Sequence, residues 1–336
     1  MTALLVASTG GHLSQLARLR PRIDALGDRR VVWVTFDKPQ SRSLLRGEEV
    51  IHVPYTGPRD VNNVAGNAVR ARGILRDVDP ALVISTGSAI SLSFLPLAAA
   101  RGAECHYIES AARSDGPSLS GRLLSRTGKI RLYTQHRIWA REPWFYRGSV
   151  FDTWQPAPAV ATPTIGRMVV SLGTIDYSFR RLVEKLVAIT PPGVEVLWQT
   201  GATDVTGLPI QARATVPNAE LDAAIAEADV VVSHSGIGSA IATLEAGRCP
   251  VLVPRERRHG EHVDDHQQQI AGELSARGLA VSSSVPALEW GDLLEAAALR
   301  AASDEPPSFD LMHRSRHSAM APELASARPR TNVGVD

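Results

Sequence analysis

The sequence contains only two cysteines among its 336 residues, Cys105 and Cys249. They lie far apart and lack the paired spacing of metal or redox sites, which excludes a disulfide framework and is typical of buried thiols in a reducing cytoplasm. No apolar run approaches the ~18 residues that a membrane-spanning helix requires. The segment MTALLVASTGGH lacks a basic region before its apolar residues, so we expect a first β-strand there and no signal peptide. These absences indicate a cytoplasmic protein.

The sequence also has little net charge, +1 in total, but its charges are unevenly distributed. Residues 1–166 carry 21 Lys/Arg against 13 Asp/Glu, whereas residues 167–336 carry 15 against 22. The most basic segment is 113–147, where eight Lys/Arg accompany two acidic residues, with Trp139, Trp144, Phe145 and Tyr146 close by. Such a segment fits nucleic acid, anionic lipid headgroups or a solvated surface, and we favour peripheral association with the inner membrane surface and no nucleic-acid partner.

Apolar strand-like runs alternate with helix-like segments along the chain. Strands are expected at ALLVAS, RRVVWVTF, EVIHVPY, ALVIST, ECHYIES and IRLYTQ, and again at RMVVSLGT, VEVLWQTG, ARATVP, DVVVSHSG and CPVLVPR. Helices are expected near 13–27, 61–77, 89–101, 176–189, 219–227 and 237–246. This alternation predicts an α/β protein with two Rossmann-like, doubly wound parallel sheets. We expect an N-terminal domain at 1–154, a Pro/Ala-rich linker at 155–166, a C-terminal domain at 167–317 and a disordered tail at 318–336.

Ligands of open α/β sheets bind at the carboxyl ends of the strands. In the first half this rule selects Gly10, Gly11 and His12 of STGGH, where glycines admit a ligand to the backbone and a helix N-terminus follows. The spacing is not the G-x-G-x-x-G of dinucleotide sites, which argues against an NAD-dependent dehydrogenase. A helix N-terminus lowers the proton affinity of an imidazole, so His12 is either a candidate general base or a histidine that only packs the turn.

Two further strand ends in the first half carry polar residues. Thr86 and Gly87 lie in STGSAIS, and Glu109 lies in YIES. A glutamate at such a position commonly serves as a helix cap or a loop partner. In a cleft it is also placed to orient His12 or to bind an acceptor hydroxyl, so Glu109 is a second catalytic candidate.

In the second half the same rule selects residues after four strands. Ser235 and Gly236 of SHSGIGS precede a helix whose free N–H groups suit a diphosphate. In the loop that follows CPVLVPR, the pair His262/His266 has the spacing of zinc ligands on a helix, but the neighbouring carboxylates and Gln267 equally suit sugar hydroxyls, so we predict no metal site. The candidate residues for binding phosphates or sugars in these segments are Gly173, Thr174, Gln199, Ser235, Gly236, Ser239, Arg255, His262, Asp265 and Gln267.

These motifs resemble inverting glycosyltransferases of the GT-B fold, in particular family 28. GGHLSQL, YIES and SLSGRLLS are similar to the membrane-associated acceptor subunit of the UDP-N-acetylglucosamine:dolichyl-diphosphate-N-acetylglucosamine transferase. MVVSLGT, VVVSHSGIGS and DDHQQQIA are similar to its catalytic, donor-binding subunit, and bacterial exopolysaccharide transferases of this type also occur as paired polypeptides. The resemblance, which spans about residues 3–275, therefore implies that both halves are fused here.

The resemblance implies a UDP-sugar donor at the C-terminal domain, a polyprenyl-diphosphate-linked sugar acceptor at the N-terminal domain, and no cofactor. It makes His12 the candidate base, and it matches Gly173, Thr174, Ser235 and Gly236 to the loops that hold the donor phosphates and Gln267 to the donor sugar. One position departs from the family. Where the family has an acid that binds the donor ribose, this sequence has Ala242, and Glu245 lies one helical turn later as a possible substitute.

The expected reaction is a single displacement with inversion, in which His12 deprotonates the acceptor and helix N-termini with Arg255 stabilise the leaving UDP. Two alternatives stay open. A non-catalytic scaffold that binds nucleotide sugars in a polysaccharide assembly complex is one, favoured by the missing ribose acid. A nucleotide-sugar 2-epimerase, which also uses two Rossmann-like domains, is the other.

Overall fold

The computed structural model describes residues 1–57, 60–173, 176–262 and 267–312. Thr174, Asp265 and His266 lie outside this range, as do the last residues of the predicted C-terminal domain and the predicted tail at 318–336. Within the described residues, no helix has both the length and the apolar character needed to cross a membrane.

The first half of the chain forms a seven-stranded parallel sheet with the order β3-β2-β1-β4-β5-β6-β7. Its strands are buried apolar runs, as expected for a parallel sheet that is covered on both faces. The strands are β1 (Thr2–Val6), β2 (Arg30–Phe36), β3 (Glu49–Val53), β4 (Leu82–Ser85), β5 (Glu104–Ile108), β6 (Arg131–Thr134) and β7 (Trp144–Tyr146). The helices are α1 (Gly11–Leu19), α2 (Pro39–Leu44), α3 (Val61–Val78), α4 (Ile90–Ala100) and α5 (Leu119–Leu124).

The second half forms a six-stranded parallel sheet with the order β11-β10-β9-β12-β13-β14. The predicted architecture of two doubly wound parallel sheets is thus confirmed. The parallel strands are β9 (Arg167–Ser171), β10 (Glu195–Gln199), β11 (Ala212–Arg213), β12 (Val230–Ser233), β13 (Val251–Leu252) and β14 (Val281–Ser282). The helices are α6 (Arg180–Ile189), α7 (Asn218–Glu227), α8 (Ile237–Glu245), α9 (Gln267–Ala276) and α10 (Trp290–Ala298).

The two halves are connected by a small antiparallel pair of strands, β8 (Trp154–Ala157) and β15 (Arg300–Ser303). The predicted linker at 155–166 therefore begins inside a strand. After β15 the chain returns to the first half, where the Asp304 amide donates to the Thr153 carbonyl at 2.9 Å. Phe309 is fully buried in the core that also contains residues of β1 and α1.

Two helix predictions differ from the structure at their ends. The helix predicted near 13–27 begins at Gly11 and ends at Leu19, where two short 3₁₀ turns replace it. Pro21 explains this end, because it has no N–H to continue the α-helical hydrogen bonds. The helix predicted at 176–189 begins only at Arg180.

The strand order reverses between β1 and β4 in the first sheet and between β9 and β12 in the second. Open α/β sheets bind ligands at such switch points, in the crevice outside the carboxyl ends of the strands. His12 follows β1 and Thr86 follows β4. Gly173 follows β9 and Ser235 follows β12. The loops selected from the sequence therefore lie at both switch points.

Candidate active site

His12 lies in the first turn of α1 and is held by the loop after β4. Its Nδ1 lies 2.8 Å from the Thr86 carbonyl oxygen, and the Thr86 hydroxyl donates to the His12 carbonyl at 2.7 Å. A carbonyl oxygen only accepts, so Nδ1 carries the proton and the lone pair of the neutral ring is on Nε2. This tautomer, beside a helix N-terminus, is the one that a general base needs.

Gly87 allows the His12 ring to lie close to the β4 loop. Gly87 has a positive φ of 112°, and a Cβ added to it would lie 3.2 Å from His12 Cε1 and 3.1 Å from the Tyr107 hydroxyl oxygen. The imidazole and the phenol therefore flank the same glycine. Tyr107, which sequence reasoning missed, links this point to Glu109 by a 3.3 Å hydrogen bond.

Glu109 is buried, and its carboxylate accepts several hydrogen bonds from the loop before α5. Donors to it are the Ser118 amide and hydroxyl, both at 2.9 Å, and the Ser110 amide at 3.1 Å. Burial raises the pKa of Glu109 despite these donors. The carboxylate thus reaches the His12 region through Tyr107, which is the geometry of a residue that positions other groups. Direct catalysis by Glu109 stays a prediction.

Gly10 and Gly11 differ in their surroundings. Gly10 has a φ of 87°, and nothing would lie within 4 Å of a Cβ added to it. Its amide donates to Gln40 Oε1, and Gln40 Nε2 donates back to the Gly10 carbonyl at 3.3 Å. Gln40 had no sequence signal, because its partner lies 30 residues away. It fixes the backbone that the sequence predicts to approach a ligand.

Gly11 of the first half contacts Ile237 of the second half. A Cβ added to Gly11 would lie 2.0 Å from Ile237 Cγ2, and a Cβ on Gly238 would lie 3.9 Å from the Gly11 nitrogen. The space that the sequence assigned to a ligand at Gly11 is therefore filled by Ile237, and only Gly10 is open. As a result, the N-terminus of α1 meets the N-terminus of α8.

The loops after β9 and β12 enclose the imidazole of His234. Its Nδ1 lies 3.2 Å from the Ser171 carbonyl oxygen, and Cβ atoms added to Gly173 and Gly236 would lie 2.6 and 2.4 Å from its ring. Only glycine at these two positions allows the backbone to approach the His234 ring this closely. Sequence reasoning passed over His234, although it lies next to Ser235 in the motif.

Ser235 has a buried hydroxyl with no hydrogen-bond partner among the described residues, and its φ is 59°. An unsatisfied buried hydroxyl costs roughly 1–3 kcal/mol, so its presence just before α8 is consistent with a ligand-binding position. Ser239, in the first turn of α8, is half-buried on the same helix.

Arg255 is fully buried, and its guanidinium organises the loop after β9. It donates to the Leu172 carbonyl at 2.8 Å and to the Tyr177 carbonyl at 2.7 Å, and it lies over the Phe179 ring. Desolvation lowers its pKa to about 10, which still leaves it charged at neutral pH. These contacts give Arg255 a positioning role. Its predicted direct contact with the leaving group stays untested.

The remaining donor candidates are spread over the second half. Gln267 accepts a hydrogen bond from the Arg255 amide at 3.0 Å, and the His262 ring lies 5.9 Å from that of Tyr177. Gln199, at the end of β10, donates to the Ser171 hydroxyl and accepts from the Val216 amide, so it connects β9 to the loop between β11 and α7.

Glu245 forms an ion pair with Arg18 of α1, across the boundary between the halves. If Glu245 binds the donor ribose in place of the missing acid, it must give up this ion pair. In the described part of the chain, no group of three or more His, Cys, Asp or Glu side chains is arranged to hold a metal ion.

The basic segment 113–147 exposes aliphatic side chains more than the aromatic ones noted in the sequence. Trp144 is buried and packs against Trp139, whereas Leu119, Leu123 and Ile138 are 55%, 40% and 87% exposed. Both exposed leucines lie on α5, which also carries the exposed Arg122, and the exposed Arg126 and Lys129 follow the helix.

Residues 170–302 match the glycosyltransferase family 28 C-terminal domain. No curated protein matches the chain at a significant level. The structure is similar to MurG of Acinetobacter baumannii, with a TM-score of 0.56, 15% identity and coverage of 86% of this chain and 87% of that one.

Two other solved structures share the arrangement. The glycosyltransferase SnogD from Streptomyces nogalater has a TM-score of 0.54 and 20% identity, and the match covers 89% of this chain and 92% of that one. The UDP-GlcNAc 2-epimerase from Methanocaldococcus jannaschii has a TM-score of 0.52 and 11% identity, with 85% and 89% covered. Together with the two parallel sheets, these likenesses show the GT-B fold.

Proposed function

We propose that this chain, a glycosyltransferase with a family 28 C-terminal domain, transfers a sugar with inversion from a UDP-sugar to a polyprenyl-diphosphate-linked saccharide in cell-surface or exopolysaccharide synthesis. Residues 1–154 bind the acceptor, and residues 167–317 bind the donor. In this proposal the chain combines the roles of the acceptor and donor-binding subunits of the dolichyl-type transferases.

The observation that carries the proposal is the meeting of α1 and α8 at their N-termini, at the Gly11–Ile237 contact. Each helix N-terminus carries roughly half a positive charge and free N–H groups, which favour an anion. His12 lies on one side of this meeting point and the unsatisfied hydroxyl of Ser235 on the other. A diphosphate held at α8 would place the donor sugar opposite His12.

The reaction then follows from the tautomer of His12. Its Nε2 accepts the proton of the acceptor hydroxyl as that oxygen bonds to the anomeric carbon, from the face opposite the nucleotide. The bond between the anomeric carbon and the phosphate oxygen breaks, and its electron pair leaves with UDP. The N–H groups at the start of α8 stabilise the charge that develops there. Thr86 orients the base, and Glu109 acts through Tyr107.

We place the acceptor lipid at the surface formed by α5 and Ile138 in segment 113–147. Its exposed leucines and arginines combine apolar insertion with attraction to anionic headgroups, which matches an interfacial helix at the cytoplasmic face of the inner membrane. The loop that begins α5 also holds Glu109, so this surface adjoins the predicted acceptor site.

The test is UDP release by the full chain and by His12→Ala, with anionic vesicles that carry polyprenyl-diphosphate-linked glucose or N-acetylglucosamine. The donors are UDP-glucose, UDP-galactose, UDP-N-acetylglucosamine and UDP-glucuronate. With the donor that the full chain uses, His12→Ala is expected to lower the rate by about 10²–10⁴ while the donor-induced rise in melting temperature is kept.

Each other outcome is informative. Full turnover by His12→Ala would show that it is not the base. Donor binding by the full chain without turnover on any acceptor favours the scaffold, and conversion of the UDP-sugar without an acceptor favours the epimerase.

A further inference from the structure

We infer that a cavity of about 480 Å³ between the two halves, at the β6 end of the first sheet, binds the second sugar of a saccharide acceptor. This inference rests on the proposed function and adds to it that the acceptor carries at least two sugars. The volume lies within the range of about 300–1,000 Å³ that small-molecule sites occupy.

Two glutamines connect the cavity lining to the loop of His12 through hydrogen bonds. Gln135, which follows β6 and lines the cavity, donates from Nε2 to Gln15 Oε1 at 3.0 Å. Gln15 in turn donates to the Gly11 carbonyl at 3.0 Å. Since Gly11 adjoins His12, the cavity begins two hydrogen bonds from the proposed base. We infer that the sugar next to the reacting one lies in this cavity.

The lining has the chemistry of a carbohydrate site. Gln269 of α9 accepts a hydrogen bond from the Ser114 amide at 3.0 Å, which joins the donor half to the loop between β5 and α5. Glu273 supplies a carboxylate. The Arg137 guanidinium lies 4.5 Å from the centre of the Tyr146 ring, and together they form a planar surface beside the cavity. Sites that bind sugars combine groups that hydrogen-bond to hydroxyls with a flat side chain that packs against the sugar ring.

The charged groups of the lining already have partners within that lining. Glu273 accepts hydrogen bonds from His136 and Arg277, which lower its pKa to about 2, and the Arg137 guanidinium lies over the Tyr146 ring. The cavity also runs along α9 rather than facing the helix N-termini of α1 or α8, where the diphosphate is proposed. A largely uncharged saccharide fits this environment better than a second nucleotide.

Two small residues on one face of α9, Gly272 and Ala276, leave room for the cavity. Gln269, Gly272, Glu273 and Ala276 follow the i, i+3, i+4, i+7 spacing of a single helical face, and all four line the cavity. A Cβ added to Gly272 would have nothing within 4 Å. A larger side chain at 272 therefore has room to enter the cavity, and we expect a larger side chain at 276, on the same face, to enter it as well.

The experiment compares the full chain with Gly272→Leu and Ala276→Phe, and uses Ser275→Phe as a control on an exposed face of α9 that does not line the cavity. Saturation-transfer NMR with cellobiose and N,N′-diacetylchitobiose measures binding without turnover. We expect saturation of at least one disaccharide in the full chain and in Ser275→Phe, and a loss of at least about tenfold in affinity, or roughly 1.4 kcal/mol, in both filled variants. A preserved melting temperature shows that the variants fold.

The inference is overturned if neither disaccharide saturates in the full chain, or if the filled variants bind as the full chain does. Turnover separates this result from the proposed function. With lipid-linked monosaccharide and disaccharide acceptors, the filled variants are expected to lose the preference for the disaccharide but to keep monosaccharide turnover. Absence of turnover on every acceptor would count against the proposed function while leaving the binding result intact.

Discussion

Gly11→Ala tests whether the contact between α1 and α8 is required for the closed arrangement of the two halves. Gly11 lies outside the left-handed φ region, so alanine fits its backbone without strain. The new Cβ would nevertheless lie 2.0 Å from Ile237 Cγ2, whereas carbon atoms pack at about 3.5–4.0 Å. The helices must therefore separate by roughly 1.5–2 Å, or Ile237 must leave its rotamer.

Such overpacking costs about 1–3 kcal/mol. If the closed arrangement is needed for transfer, this cost corresponds to a decrease of about 5- to 150-fold in kcat/KM. Thermal unfolding and UDP release are the two assays. We expect the melting temperature to fall by several degrees, at roughly 2–4 °C for each kcal/mol.

The partner substitution gives the decisive comparison. Ile237→Ala removes Cγ2, and the closest remaining contacts of an alanine Cβ at Gly11 are then Ile237 Cβ at 3.5 Å and the Gly238 nitrogen at 3.7 Å. Both are ordinary packing distances, so the double variant should recover most of the loss. Gly73→Ala in α3 is the matched control, because nothing lies within 4 Å of its Cβ and alanine stabilises a helix by about 0.5–1 kcal/mol. Wild-type behaviour of Gly11→Ala, or no recovery in the double variant, would refute the packing argument.

Two further substitutions concern carboxylates that accept several hydrogen bonds. Glu109→Gln directs an amide N–H₂ towards either the Ser118 donors or the Ser110 donor, so we expect a loss of about 1–3 kcal/mol in the free energy of unfolding, measured by urea denaturation. An unchanged midpoint would contradict the hydrogen-bond network. Glu273→Gln is expected to lower the melting temperature above about pH 5, because hydrogen bonds from His136 and Arg277 hold the pKa of Glu273 at about 2 rather than its ordinary 4.5. A carboxylate with a lowered pKa contributes its full stabilisation above the pKa of the unfolded chain and loses it as the pH falls to the folded pKa. The difference in melting temperature between the full chain and Glu273→Gln should therefore shrink as the pH falls from about 4.5 towards 2. A difference in melting temperature that does not change with pH would contradict this account.

Much of the architecture could be predicted because it is local. Buried strands read as apolar runs, and the alternation of strands with helices predicts parallel sheets. Since strand ends of a parallel sheet share one edge, His12, Thr86 and Ser235 could be selected for the cleft before any contact was known. The strands β7 and β15 were not predicted, because β7 has only three residues and β15, with the sequence RAAS, has no large apolar residue.

The contacts between distant residues could not be predicted. From the sequence, Gly11 was predicted to leave space for a ligand. Only the fold shows that Ile237 fills that space. Arg255 reads as a phosphate ligand, yet its partners are carbonyls of a loop about 80 residues earlier. Glu245 likewise has its ion-pair partner, Arg18, on the opposite half. Residue type indicates what a group can bind, whereas the fold determines what is near it.

The paired strands β8 and β15 determine how the two halves can move. Trp154 aligns with Ser303 and Ala157 with Arg300, so two antiparallel segments cross between the halves side by side. A single connecting strand would let the two halves rotate about several axes. The hydrogen-bonded pair of β8 and β15 bends out of its own plane more easily than it twists. We therefore expect any opening of the two halves to bend this ribbon, a motion that returns α1 to α8 in the same register.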